Sequence, residues 1–161
     1  FRKRFRRLVR ADRNSRFDLE ESLISETPGL APDLPSSVLM ATILIVEDDE
    51  DLQAALSEAL EDEGYRVRAA PNGLEALSKL LGDKERPNLI VLDLMMPLMN
   101  GWQFLRERIR YPSLSQIPVL VLTASSDARP KQAAAVLRKP IQPLELFEAV
   151  RKTMAPSSGV S

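Results

Sequence analysis

The side chains able to do chemistry in this chain stand at the ends of short apolar runs. Glu47-Asp48 follow residues 43–46, Asp93 follows residues 89–92, Thr123 follows residues 119–122, and Lys139 follows residues 135–138. Brought together, three carboxylates repel, and at an effective dielectric near 20 a pair 4 Å apart costs about 4 kcal/mol. Such a cluster holds protons or holds a cation. The 161 residues include no Cys and no His, which excludes a disulfide frame, a thiol nucleophile, a Cys/His zinc site and a Ser-His-Asp triad. Only oxygen ligands remain, and Mg²⁺, which keeps several of its waters, suits them. A lysine that neutralises an anion brought by the metal, and a hydroxyl that donates to it, complete a site suited to phosphoryl transfer.

For these groups to meet, the elements that carry them must end on one edge. Residues 43–46, 89–92 and 119–122 are unbroken apolar runs, as expected of strands buried on both faces of a parallel sheet. Residues 66–69 alternate polar and apolar, and residues 135–138 end in charge, so both read as edge strands. Helices lie between. Leu52, Leu56, Ala59 and Leu60 share a face, with Gly64 where a C-cap is wanted. A second helix runs from about Gly73 to Leu81, with Leu74, Leu77 and Leu81 in phase; Trp102, Leu105 and Ile109 line a third. Leu144, Phe147, Val150 and Met154 line the last, opened by Pro143. Between Thr123 and Lys139 only a short stretch near Pro130 to Ala134 is left for a helix. The pattern predicts an α/β fold, a flavodoxin-like (βα)5 doubly wound parallel sheet of strand order 2-1-3-4-5 with a shortened fourth helix. In such sheets ligands bind beyond the carboxyl ends of the strands, where the polar residues above stand.

Net charge is −1, with 44% apolar and 28% charged residues, ordinary for a globular domain. Residues 1–39 read as a disordered basic arm and a linker punctuated by Pro28, Pro32 and Pro35; six basic residues fall in the first ten positions. Acids further along dilute that charge, so a solvated tail is expected rather than a nucleic-acid or membrane anchor. The first Met is Met40, directly before the first apolar run, which suggests a natural start there. Residues 40–155 form the expected domain and residues 156–161 a tail. No apolar run approaches the roughly 20 residues of a membrane span, and no apolar stretch follows the basic start, so a cytoplasmic location is expected.

The strings Ile43-Leu44-Ile45-Val46-Glu47-Asp48-Asp49 and Asp93-Leu94-Met95-Met96-Pro97-Leu98-Met99-Asn100-Gly101, with Thr123-Ala124 and Lys139-Pro140, resemble the receiver domain of two-component response regulators over about Met40 to Ala155. The resemblance implies that Asp93 is the phosphoacceptor for a histidine kinase or phosphotransfer protein. It implies that Asp48 ligates Mg²⁺ directly, Glu47 through a water, and Met95 through its backbone carbonyl. Asp49 is then a helix N-terminal charge, Thr123 and Lys139 bond phosphoryl oxygens, and the Lys139-Pro140 bond is cis. Val136 stands where the family usually carries an aromatic that reports phosphorylation, and only 16 positions separate Thr123 from Lys139. The resemblance thus implies intact acceptor chemistry with an altered read-out. No DNA-binding module follows the last helix, so signalling through a downstream protein or a phosphorelay is expected, without enzymatic turnover beyond slow self-catalysed steps.

Each residue also has a plainer reading. Glu47 to Asp51 alone would serve as acids at a helix start; Asp93 would be a turn residue, Thr123 a loop cap and Lys139 a surface lysine. Matching four strand ends by accident is the weaker account. Three alternatives stay open: a phosphorylation-independent interaction module, the receiver fragment of a hybrid histidine kinase, and a haloacid-dehalogenase-like phosphohydrolase. The last would carry its nucleophile after the first strand in a D-x-D motif, where this chain has Glu47-Asp48-Asp49.

Overall fold

The computed structural model describes residues 41–155, so the expectations for residues 1–39 and 156–161 lie outside the described residues. Five parallel strands pair in the order β2-β1-β3-β4-β5: β1 Thr42–Val46, β2 Arg66–Ala70, β3 Leu89–Asp93, β4 Val119–Thr123 and β5 Ala135–Arg138. Helices α1 Glu50–Asp62, α2 Gly73–Gly82, α3 Gly101–Arg108 and α5 Pro143–Met154 wind between and after them, and a four-residue turn of helix, α4 Pro112–Ser115, precedes β4.

Alternation explains why the central strands are apolar throughout. Ile43, Ile45, Leu89, Val91, Leu120 and Leu122 face one core with α1 and α5; Leu44, Val46, Ile90, Leu92, Val119 and Val121 face the other with α2 and α3. Both predicted edge strands are partly exposed. Three helix starts are capped by side chains: Asp49 accepts from Leu52 N–H, Asn72 from Glu75 N–H, and Asn100 forms a capping box with Gln103.

The fold class and strand order are as the sequence predicts, and two local expectations change. The shortened fourth helix is shortened to a single turn, closed by Ala133 N–H on the Pro130 carbonyl, because so short a connection leaves little chain before residue 134 must pair with β4. On α3 the buried face is Gly101, Phe104, Leu105 and Arg108, while Trp102 and Ile109 are 39% and 48% exposed. Leu74, Leu81 and Leu144 are exposed as well, the buried positions on α2 and α5 being Gly73, Ala76, Leu77 and Leu80, and Pro143, Leu146, Phe147 and Val150.

Candidate functional site

The mouth forms where β1 and β3 end side by side. Glu47 is the first residue past β1 and is 1% exposed; its N–H donates to the Ala70 carbonyl at the end of β2. Gln53, one turn into α1, donates from Nε2 to the Glu47 carbonyl at 2.8 Å and to the Ala70 carbonyl at 3.2 Å, which ties the acidic loop to two strand ends. Asp49 leaves the cluster to cap α1, as expected of it. Asp93, 4% exposed, closes β3 in register with Leu122. The loop behind it is set by close approach: Gly101 N–H donates to the Leu94 carbonyl, and a Cβ on Gly101 would fall on the Asp93 carbonyl oxygen and within 2.8 Å of Leu94 Cα. Only glycine lets α3 begin against the backbone that carries Asp93.

Glu47, Asp48 and Asp93 each place a carboxylate oxygen within 4.8 Å of the others. Lys139 Nζ reaches in from beyond β5, 2.9 Å from Glu47 Oε2 and 3.3 Å from Asp93 Oδ1. Its N–H donates to the Thr123 carbonyl at 2.8 Å, and the Lys139-Pro140 bond is cis. Thr123 is buried at the exit of β4, and its hydroxyl accepts from Ser125 N–H at 3.1 Å. Met95 follows in the loop after Asp93 with its side chain exposed. The structure therefore gathers Glu47, Asp48, Asp93 and Lys139 directly, with Thr123 on the adjoining strand end.

The electrostatics are unbalanced. Burial, aided by the negative charge of Asp93, pushes the Glu47 carboxyl up to about 7 even though Lys139 bonds it. Burial pulls the Lys139 ammonium down, but Glu47 and Asp93 outweigh it and its pKa is raised. Three acids facing one ammonium leave a net charge of about −2 when all are ionised, in an all-oxygen setting that fits a divalent cation such as Mg²⁺.

Reading by sequence missed two residues that shape the surroundings. Gln53 carries no signal beyond being a polar residue in a helix. Arg108 is buried at 4% exposure with no carboxylate partner among the described residues; its Nη1 donates to the carbonyls of Leu114 (2.7 Å), Ile117 (2.8 Å) and Ser115 (3.4 Å), and its Nη2 to that of Gln132 (3.3 Å). Burial lowers its pKa. It thereby ties α4 and the start of β4 to the turn that stands in place of a helix before β5.

A doubly wound parallel sheet of order 2-1-3-4-5 with an acid cluster and a lysine at its carboxyl edge is a receiver-type architecture. The response regulator receiver domain matches residues 43–151, and the chain belongs to that family. It is 40% identical over 116 residues to an uncharacterized 14.6 kDa protein of Leptolyngbya boryana, an alignment covering 68% of this chain and 87% of that protein. It is 39% identical to the CpxR homolog transcriptional regulatory protein of Haemophilus influenzae, over 76% of this chain and 56% of that one. The chain spans about half the length of several transcriptional-regulator relatives. Among solved structures, the response regulator TrrA of Thermotoga maritima in complex with Mg²⁺–BeF superposes with a TM-score of 0.62 at 32% identity, covering 71% of this chain and 99% of that one. Among the described residues no helix is long and apolar enough to cross a membrane.

Proposed function

We propose that Asp93 accepts a phosphoryl group from a histidine kinase or phosphotransfer protein, and that the phosphorylated chain signals by binding a downstream protein or by passing the group onward. One observation carries this reading. Asp93 is buried at a strand exit with two further acids within 4.8 Å and the Lys139 ammonium 3.3 Å away, a crowding of charge that a turn aspartate has no use for.

Glu47, Asp48, Asp93 and the Met95 backbone carbonyl are the groups that would hold Mg²⁺. When bound, it supplies positive charge to offset the oxygens of a transferring phosphoryl group. The chain's own groups do the rest. An Asp93 carboxylate oxygen forms the bond to phosphorus as the phosphorus–nitrogen bond of the donor phosphohistidine breaks, and the electron pair leaves with the imidazole. Lys139, already against Asp93, follows charge onto the phosphoryl oxygens. Thr123 Oγ1 accepts from Ser125 N–H and so keeps its own proton to donate to the incoming group. That new bond draws on the segment after β4 and biases its conformation; swinging a population from 1:99 to 99:1 takes a preference of about 5.5 kcal/mol. The reading needs no enzymatic turnover, no nucleic acid and no membrane, and places the chain in the cytoplasm with an ATP-consuming kinase.

Incubation with a radiolabelled small phosphodonor in Mg²⁺ tests it. Wild-type chain is expected to take up to one label, and none when a chelator is present from the start; Asp93→Asn is expected to take none. Labelling of Asp93→Asn to the wild-type level rejects the assignment.

A second reading has its own support. Val136 and the lone turn before β5 suit an interaction module that keeps the acids without relaying phosphorylation. Equal partner affinity with and without beryllofluoride would favour it.

A further inference from the structure

Next to Thr123 a cavity of about 310 Å³ opens between β5 and the segment that follows β4, lined by Thr123, Ser125, Ser126, Arg129, Val136 and Arg138. Two arginines and three hydroxyl-bearing residues line it, and among the described residues no carboxylate does. Register explains its floor. Thr123 pairs with Arg138 and Val121 with Val136, so these side chains share the sheet face that α2 and α3 cover elsewhere. No helix lies between β4 and β5 to continue that cover, and the small Val136 side chain does not fill the gap.

The cations are available. Arg138 is exposed, with no carboxylate of the described residues within 4 Å. Arg129 is held at the rim through one nitrogen, which donates to the carbonyls of Ser126 (3.0 Å) and Ala128 (2.9 Å). The nearest acid along the chain, Asp127, is engaged by the Ser126 hydroxyl at 3.1 Å. Guanidinium groups offer planar forks of donors that match a carboxylate or a phosphate.

The geometry points to an oxyanion-binding pocket: a carboxylate or phosphate group seats between Arg129 and Arg138, with the Ser125 hydroxyl, which only accepts from Asp127 N–H, as a further donor. The pocket adjoins the acid mouth at Thr123, but its cations are other residues and it needs no phosphoryl group on Asp93. Two sources carry the same chemistry, an acidic side chain on a partner's peptide and a free phosphate.

Titrations of the full chain followed by amide NMR distinguish them, at fixed ionic strength with EDTA present so that the acid mouth holds no metal. The probes are inorganic phosphate, acetyl-Glu-Val-Glu-amide and its Gln counterpart. Saturable shifts are expected at residues 123–129 and 136–138 with an anionic probe and not with the Gln peptide. Arg138→Gln and Arg129→Gln, both at exposed positions, should each weaken binding about tenfold. Val136→Phe, which narrows the cavity without changing charge, should weaken it further. Tighter binding of the Glu peptide than of phosphate assigns the pocket to a partner's acidic segment, and the reverse order assigns it to a free anion. Shifts that never saturate, that centre on Lys139 and Asp93, or that persist at equal affinity in the Arg129→Gln/Arg138→Gln double variant overturn the proposal.

Discussion

The acid mouth at the ends of β1 and β3 and the margin around β4 and β5 bury charge on opposite terms. In the mouth, Glu47 and Asp93 are buried beside Asp48 with one ammonium among three acids. At the margin, Arg108 is buried with no acid partner among the described residues, yet its terminal nitrogens reach four backbone carbonyls and leave only Nε without a partner. The first arrangement stays unbalanced until something binds, whereas the second is nearly complete within the chain. Charge left unbalanced marks a place for chemistry; charge satisfied by carbonyls marks a structural joint.

The sharpest way to break this contrast is Arg108→Leu. Leaving the carbonyls of Leu114, Ile117 and Gln132 without their donor should destabilise the fold by about 3 kcal/mol in urea unfolding, with Arg108→Lys recovering only part. A change under about 0.5 kcal/mol would show that the arginine is not a joint. The mouth should behave the other way. Asp48→Asn is expected to weaken Mg²⁺ binding at least about tenfold by calorimetry, while metal-free stability stays within about 0.5 kcal/mol or rises.

Acidity separates the regions further. Glu47 holds its proton in the folded chain up to about 7, well above its ordinary 4.5, chiefly because it is buried. Between those two values the unfolded chain has released the proton and the folded chain has not. The stability that this group contributes is therefore present below about pH 4.5 and declines as pH rises towards 7. In chelator the Glu47→Gln variant should lack that component of the pH slope, measured by denaturation across pH 4.5 to 8. The smallest effect is expected in the loop that joins β3 to α3. Leu98 is 79% exposed with φ 64°, a left-handed conformation a leucine enters at a cost of roughly 1–2 kcal/mol. Leu98→Asn should raise the melting temperature by a few degrees, corresponding to at most about 1 kcal/mol.

The parts legible in the sequence are those with a local signature. Unbroken apolar runs marked the buried strands, alternation marked the edges, and the polar residues at the exits of β1, β3 and β4 and after β5 marked one mouth through the parallel topology. Helix faces were less legible. On α3 the exposed Trp102 and Ile109 look like core residues by type, and the buried Arg108 does not. Apolar character names the candidates for burial, but packing against neighbouring elements chooses among them, and it can accept a guanidinium wherever carbonyls converge.

The sequence by itself determined the strand order, the acid cluster and the lysine that meets it, because period and strand-end position follow from residues adjacent in the chain. Only the tertiary structure decided the role of Arg108 and Gln53, and with it the shape of the margin beside Thr123. Their partners are backbone carbonyls 6 to 24 residues away, groups that every residue carries and that no side-chain pattern announces.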